Sequence, residues 1–573
     1  MYLSESKAAL KATFQSSIKS HLLQIPMAQQ PESVTRERIR QTAKSKLGYD
    51  SLRAGQEEAI AALLKGHDVL AVMPTGSGKS AIYQLAGALI PGATVVISPL
   101  LALQQDQVEA IAEQTVGEAV AVNSTITKAE RKEAFELLAD DELEFIFLAP
   151  EQFNNPETLE RLHAAKPSLF VIDEAHCISE WGHDFRPDYL RLGAVIDSLG
   201  HPRVLALTAT AAPTVREEIV NHLNMRDSAV VVQGFDRPNI WLEVRRFEDE
   251  AEKEAALIDQ VVRAKKPGIV YAATRKQTEA IAAALEEQGV QAIAYHAGMK
   301  TSDREAAQAD FMDDRAEVIV ATTAFGMGID KPNVRFVIHH TISDSVDSYY
   351  QEIGRAGRDD NAAFALLFYC ADDLNIRRFL ASSGQIDRDD VEQVATVIQA
   401  QSDPLNRQDL KEQTGLSQAK VATALNHLES VGSVEILPTG EAVASETAPD
   451  VGDAAEAAIQ AQERYQNYVR SRLEMMRGYA ELRDCRREYL LNYFGEKRDQ
   501  PCGFCDNCKA GLIVDDDGIE QPFTMNSQVV HPTWGEGMVM RYEGDKIVIL
   551  FDQVGYKTLD IELALEQNLL AAK

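Results

Sequence analysis

Met73-Pro74-Thr75-Gly76-Ser77-Gly78-Lys79-Ser80 follows the apolar run Asp68 to Met73 and precedes a helical stretch. Glycines at 76 and 78 let backbone N–H groups wrap around oxyanions, and the helix start that follows favours negative charge. In a loop of this kind Lys79 holds the β- and γ-phosphates of a nucleotide and Ser80 ligates Mg²⁺. Thr75, Gly76, Ser77, Gly78, Lys79 and Ser80 are therefore the candidate phosphate contacts. Strand, glycine turn and helix in succession begin an α/β unit, and the flanking sequence continues that pattern.

Downstream, Leu169-Phe170-Val171-Ile172-Asp173-Glu174-Ala175-His176 is an apolar strand ending in two carboxylates. Asp173 is placed to hold Mg²⁺ through water and Glu174 to polarise an attacking water. Unbroken apolar runs at 93–98, 145–149, 204–208, 268–271, 318–321 and 336–339 alternate with amphipathic stretches. Such runs belong to parallel sheets covered by helices on both faces. The expected fold is α/β, with two parallel-sheet units over 46–235 and 236–375 after a polar, partly helical leader over 1–45. Asp236-Arg237-Pro238-Asn239 breaks the pattern between them. In the second unit, Gln351-Glu352-Ile353-Gly354-Arg355-Ala356-Gly357-Arg358-Asp359 offers arginines to a cleft between the units. Arg358 is the candidate finger that stabilises charge on the transferring phosphoryl group, and Arg355 shares the phosphate work.

Asp173-Glu174-Ala175-His176 with the loop Pro-Thr-Gly-x-Gly-Lys-Ser resembles the superfamily 2 helicases, which implies that the two parallel-sheet units are RecA-like motor domains. The string that follows, Cys177-Ile178-Ser179-Glu180-Trp181-Gly182-His183-Asp184-Phe185-Arg186-Pro187, resembles the aromatic-rich loop of the RecQ family. That resemblance implies that Trp181, Phe185 and Arg186 sense single-stranded DNA and signal to the ATP site; an aromatic ring stacked on an unpaired base is worth roughly 1–3 kcal/mol. Leu47-Gly48-Tyr49-Asp50-Ser51-Leu52-Arg53-Ala54-Gly55-Gln56 resembles the family's adenine-reading segment. Gln56 then meets the adenine edge and Tyr49 or Arg53 its face, although Leu52 stands where relatives often carry an aromatic residue. Leu207-Thr208-Ala209-Thr210-Ala211, Tyr295-His296-Ala297-Gly298 and the run Ala321 to Pro332 fit further family motifs, in family order. The resemblance implies an ATP-dependent DNA helicase that moves 3′ to 5′ on single-stranded DNA and unwinds duplexes in repair and recombination.

Four of six cysteines, Cys485, Cys502, Cys505 and Cys508, cluster late in the chain. Four soft thiolates suit a closed, structural, tetrahedral Zn²⁺ site, and their long first spacing resembles the RecQ zinc-binding domain. The chain carries a net charge of −31, which on its own argues against a nucleic-acid binder. The basic residues Arg464, Arg470, Arg472, Arg477, Arg483, Arg486, Arg487, Lys497, Arg498 and Lys509 concentrate around the cysteines; some are expected to pair with nearby acids or lie on solvated helix faces, and the rest form a candidate DNA-facing patch.

The remaining segments depart from the family order. Residues 385–442 read as helix, glycine turn, helix and hairpin, a winged helix placed before the zinc module (461–512) instead of after it. This unit binds DNA or packs on the motor. An Ala- and acid-rich linker is expected over 443–460, and short strands with glycine turns over 524–573 suggest a small SH3/Tudor-like β-barrel. Val530-His531-Pro532-Thr533-Trp534-Gly535-Glu536-Gly537 resembles the barrel ending UvrD/PcrA-type helicases, which implies a protein partner such as RNA polymerase or a repair factor. No run of eighteen apolar residues is present, so no membrane span is expected. With neither that nor a secretory signal at the N-terminus, a cytoplasmic protein is expected, nucleoid-associated if bacterial. Two rival readings follow from the same residues: a DNA-stimulated translocase that unwinds poorly, and a DNA-binding regulator with an inactive motor. Intact Lys79, Asp173, Glu174 and Arg358 oppose the second.

Overall fold

The computed structural model describes residues 32–573, apart from 100, 115, 124–125, 141, 180–185, 327–328, 382–385, 402, 438–439, 446, 499, 513–520 and 525–526. The first α/β unit holds seven strands: β1 (Val69–Val72), β2 (Thr94–Ile97), β3 (Ala119–Val122), β4 (Phe145–Leu148), β5 (Leu169–Ile172), β6 (Arg203–Thr208) and β7 (Ala229–Val232). They pair in parallel in the order β3-β4-β2-β5-β6-β1-β7. Side chains alternate between two hydrophobic layers: Leu70 and Val72 of β1 enter one, Val69 and Ala71 the other. Burial on both faces is the reason these strands lack a polar alternation.

The second unit repeats the architecture with β8 (Ile240–Phe247), β9 (Gly268–Tyr271), β10 (Ala292–Tyr295), β11 (Val318–Ala321), β12 (Phe336–His339) and β13 (Ala363–Cys370). Their order is β10-β11-β9-β12-β13-β8, again parallel throughout. In the first sheet the loop after β1 and the carboxylates after β5 stand just past the C-terminal ends of strands, where open parallel sheets place ligands; the arginine loop of the second unit lies instead at the N-terminal end of β12, where the Gly357 N–H donates to the Val334 carbonyl (2.8 Å). Ahead of the first sheet, the helix Glu32–Leu47 docks Ile39, Ala43 and Leu47 on the first unit at four-residue spacing. Glu57 holds it from the other side through Arg36 (3.0 Å) and Arg40 (2.8 Å).

Beyond the sheets, helices Arg388–Gln399, Arg407–Thr414 and Gln418–Ser430 and an antiparallel hairpin (Val434–Ile436 with Ala442–Ala444) share a core of their own. Asn406 caps the second helix and Gly415, at φ 71°, ends it, the turn its sequence announced. The linker expected over 443–460 is corrected: a single helix, Val451–Glu481, runs through most of it. Its first turns bury Ala454, Ala455 and Ala458 in the three-helix core, because small apolar residues at helical spacing make a packing face even among acids.

Residues 528–572 form a five-stranded antiparallel sheet, with a register shift between Val539 and Arg541. Ile547, Ile549 and Phe551 face one core, while Val548, Leu550 and Tyr556 face the other. That second face packs on Tyr468 and Tyr493, with Tyr556 ring centroids 6.1 and 6.0 Å away. No helix of the described residues is long and apolar enough to cross a membrane.

Candidate active site between the two sheets

The loop after β1 turns on Gly76 and Gly78 at φ 78° and 77°, a region open to glycine at little cost. Ser80 opens the helix Ser80–Leu89 directly behind it. Lys79 folds back so that Nζ donates to the carbonyls of Met73 (3.3 Å) and Pro74 (3.5 Å). Burial pushes its ammonium pKa down, against the pull of Glu174 and Asp173. Gln56 is 2 % exposed, and its amide is fully engaged. Nε2 donates to the carbonyls of Ser77 (3.1 Å) and Gly78 (2.8 Å), while Oε1 accepts from the Arg53 N–H (2.8 Å). Arg53 itself donates to the Gly76 carbonyl. The adenine-reading segment is thus tied to the phosphate loop. Tyr49 is exposed at its start, and Leu52 packs against the core of the first unit.

Asp173 and Glu174 leave β5 beside this loop. Burial, and then the neighbouring Glu174, push the Asp173 carboxyl up to about 7. Glu174 sits at φ 49°, a left-handed conformation that non-glycine residues adopt rarely. Its Oε2 is buried and makes no hydrogen bond among the described residues; the His176 Nδ1 lies 3.4 Å away. Two crowded, desolvated carboxylates beside an ammonium and a hydroxyl suit a divalent cation. His176 Nδ1 also meets Thr208 Oγ1 at 2.9 Å, and that oxygen accepts the Thr210 N–H at 3.2 Å. The carboxylate strand is in this way joined to the end of β6.

The second unit brings its arginines to the first. A methyl group built on Gly76 would lie 3.3 Å from Cγ and Cδ of Arg358, and one on Gly354 would lie 3.6 Å from Thr75 Oγ1. Arg358 Nη1 pairs with Asp330 at 2.6 Å. Arg355 is buried near Tyr271 and Gly326. Burial and the neighbouring Arg355 lower the Arg358 pKa. The expected DNA-sensing residues Trp181 and Phe185 lie outside the described residues; Arg186 donates to the Pro99 carbonyl (3.2 Å).

The four cysteine sulfurs lie within 4.8 Å of one another. Backbone N–H groups of Cys502 and Phe504 point at the sulfurs of Cys485 and Cys502 (3.3 Å each), and that of Cys508 at Cys505 (3.5 Å). Four converging thiol sulfurs with such donors fit zinc. The group is seated on the edge of the second sheet: Leu242 bridges to Cys505, and Val244 N–H donates to Asp506 (3.0 Å).

Three stretches match family profiles: residues 53–219 the DEAD/DEAH box helicase, 252–360 the helicase conserved C-terminal domain and 449–509 the RecQ zinc-binding domain. The probable ATP-dependent DNA helicase RecS of Bacillus subtilis is 37% identical over 405 residues, which cover 70% of this chain and 81% of RecS. The chain belongs to the RecQ family of ATP-dependent DNA helicases. The RecQ helicase of Haemophilus influenzae is 37% identical over 81% of this chain, which spans 62% of that relative. Among solved structures, the helicase MrfA bound to DNA and AMPPNP shares the fold at a TM-score of 0.51 and 19% identity, covering 73% of this chain and 62% of MrfA.

The basic residues around the cysteines divide between docking, ion pairs and exposed positions. Arg472, Arg486 and Arg487 are buried, and Arg477 and Arg498 sit in ion pairs. Lys509 lies 5.5 Å over the Trp241 ring. Arg464, Arg470, Arg483 and Lys497 stay exposed. The buried guanidiniums are spent on docking, which composition cannot distinguish from DNA contact. Sequence reasoning also missed Arg237 and Asn239, which grip the arginine loop from the segment first read as a pattern break. Their signal was an Arg and an Asn flanking a proline ahead of a strand.

Proposed function

We propose that this RecQ-family chain hydrolyses ATP to move 3′ to 5′ along single-stranded DNA and to open duplexes during repair and recombination. The observation that carries the reading is the seat of Arg358 against Gly76, the arginine loop of one unit on the phosphate loop of the other. The backbone at 76–78 and Lys79 bind the phosphates, with Thr75, Ser77 and Ser80 lining the loop. Ser80 and Asp173 would hold Mg²⁺, which when bound neutralises phosphate charge and orients the γ-phosphoryl group. Glu174, strained and short of partners, accepts a proton from the attacking water. Arg355 and Arg358 stabilise the charge that develops, and Asp330 releases Arg358 to that task. Gln56 and Arg53 couple base recognition to loop geometry, with Tyr49 exposed at the entrance. Trp181, Phe185 and Arg186 sense the DNA strand. Cys485, Cys502, Cys505 and Cys508 would hold Zn²⁺, which when bound supplies folding energy to that segment.

The unit at 386–444 is proposed as a winged helix and the C-terminal sheet as a small barrel, coiled by its bulge, that receives a protein partner. A cytoplasmic protein, on the nucleoid in a bacterial cell, accords with this function. ATP hydrolysis measured beside strand separation on 3′-tailed and 5′-tailed duplexes tests the reading. Unwinding of the 3′-tailed substrate alone is expected; unwinding confined to the 5′-tailed one sinks the polarity.

A second reading, a translocase that unwinds poorly, draws on a specific contact. The hairpin turn of the 386–444 unit is seated on the first motor unit, where a methyl group on Gly440 would fall 2.2 Å from Asn154 and 2.6 Å from Arg191. Arg407 reaches Asp188 at 3.5 Å beside it. The unit carries ten acidic and four basic side chains, a poor surface for phosphates. A wing resting on protein is not free to part strands. Strong DNA-stimulated hydrolysis without unwinding would decide for this reading.

A further inference from the structure

Arg237 lies in the short crossing from β7 to β8. Its guanidinium donates to the carbonyls of Gly354 (3.0 Å), Ala356 (2.9 Å) and Gly357 (3.0 Å). These three carbonyls bracket Arg355 and immediately precede Arg358. Asn239 adds a bond to the same Gly357 carbonyl (2.7 Å) and one to Asn361 (3.0 Å). A part-buried cation whose hydrogen bonds all go to neutral backbone acceptors recovers less of its hydration than one paired with a carboxylate. The arrangement makes sense where the shape of the gripped loop is what matters.

The gripping residue is itself held from the cysteine-bearing segment. Arg487 donates to the Arg237 carbonyl (2.6 Å), to the Ile240 carbonyl (2.6 Å) and to Asp236 (2.7 Å), whose other oxygen takes Arg498 (2.7 Å). Phe494 stacks on Phe235 with centroids 4.6 Å apart, and its carbonyl accepts Arg216 of the first unit at 2.7 Å. The crossing is thus fixed on both sides by the segment that follows the long helix.

We propose that Arg237 is a positioning residue for ATP hydrolysis: it sets the loop that carries Arg355 and Arg358, and Arg487 transmits the placement of the zinc-binding segment to it. This rests on the reading of Arg358 as the residue that stabilises phosphoryl charge. An arginine loop displaced by about 1 Å is enough to cost on the order of a hundredfold in rate.

The test is a double-variant cycle on the full chain with zinc bound, comparing Arg237→Ala, Arg237→Lys, Arg358→Ala and Arg237→Ala with Arg358→Ala. Readouts are kcat and KM for DNA-stimulated ATP hydrolysis, zinc content and the unfolding midpoint. Arg237→Ala should lower kcat about 10–100-fold with KM changed less than about threefold and zinc retained. In the Arg358→Ala background the same change should cost at least about threefold less than it does in the parent, since only Arg355 remains to position. Arg237→Lys keeps the charge but cannot span three carbonyls, and should fall nearly as far as alanine. A kcat within about twofold of the parent for a folded Arg237→Ala or Arg237→Lys overturns the proposal, as does full additivity with Arg358→Ala. Normal kcat in Arg358→Ala alone would instead remove the finger reading, whatever Arg237 does.

Discussion

Arg358 in the motor cleft and Arg487 beside the cysteines are both almost wholly buried, at 7 % and 5 % side-chain exposure. Their partners differ. Arg487 meets one carboxylate and two backbone carbonyls, all between 2.6 and 2.7 Å. Arg358 has Asp330, whose side chain is 81 % exposed, and its Nε makes no hydrogen bond among the described residues. A guanidinium saturated by fixed acceptors is part of the architecture. One held by a single solvated, replaceable carboxylate can exchange it for a phosphate at modest cost.

Four measurements would break or sharpen that contrast. Removing the metal ligands should have the largest effect: Cys505→Ser should abolish stoichiometric zinc and unfold the segment over 485–509, since structural zinc contributes about 10–16 kcal/mol. Full zinc in that variant, by metal analysis, would contradict the four-thiolate site. Next, Arg358→Ala should reduce hydrolysis by about 10³–10⁵-fold while leaving the unfolding midpoint near that of the parent. A large loss of stability would place it with Arg487. Arg487→Ala should act first on stability, costing roughly 3–5 kcal/mol because Asp236 and two carbonyls lose a buried partner, and should lower kcat by no more than Arg237→Ala does. Denaturant titration reads it, and a cost below about 1 kcal/mol would make the saturated guanidinium dispensable. Smallest is Arg407→Ala, which removes one part-buried ion pair at 3.5 Å; about 1 kcal/mol is expected. A cost like that of Arg487→Ala would show the 386–444 unit to be as firmly docked as the cysteine segment.

The motor was legible because its chemistry and its backbone requirements coincide. Gly76 and Gly78 take the positive φ that a phosphate-cradling loop needs, and Asp173 and Glu174 end a strand that must be apolar to be buried. Local signals of this kind survive without tertiary context. The linker was misread for the opposite reason: alanines and acids over 451–460 suit a solvated tether or an amphipathic helix equally well, and only the neighbouring three-helix core decides. Tyr556 and Arg541 were silent in the sequence, although one packs between Tyr468 and Tyr493 and the other lies 3.9 Å over the Tyr489 ring.

By itself the sequence determined two parallel α/β units, the order of their motifs, the identity of the phosphate loop and the four thiolates, because each depends on residues close along the chain. Tertiary structure alone decided which arginines face the cleft and which are consumed in docking. It alone seated the hairpin turn on the first unit and joined Asp236 and Arg237 to both the arginine loop and the cysteine segment. Those outcomes depend on groups brought together from more than a hundred residues apart, and a guanidinium's role is set by the acceptors around it, which local sequence does not specify.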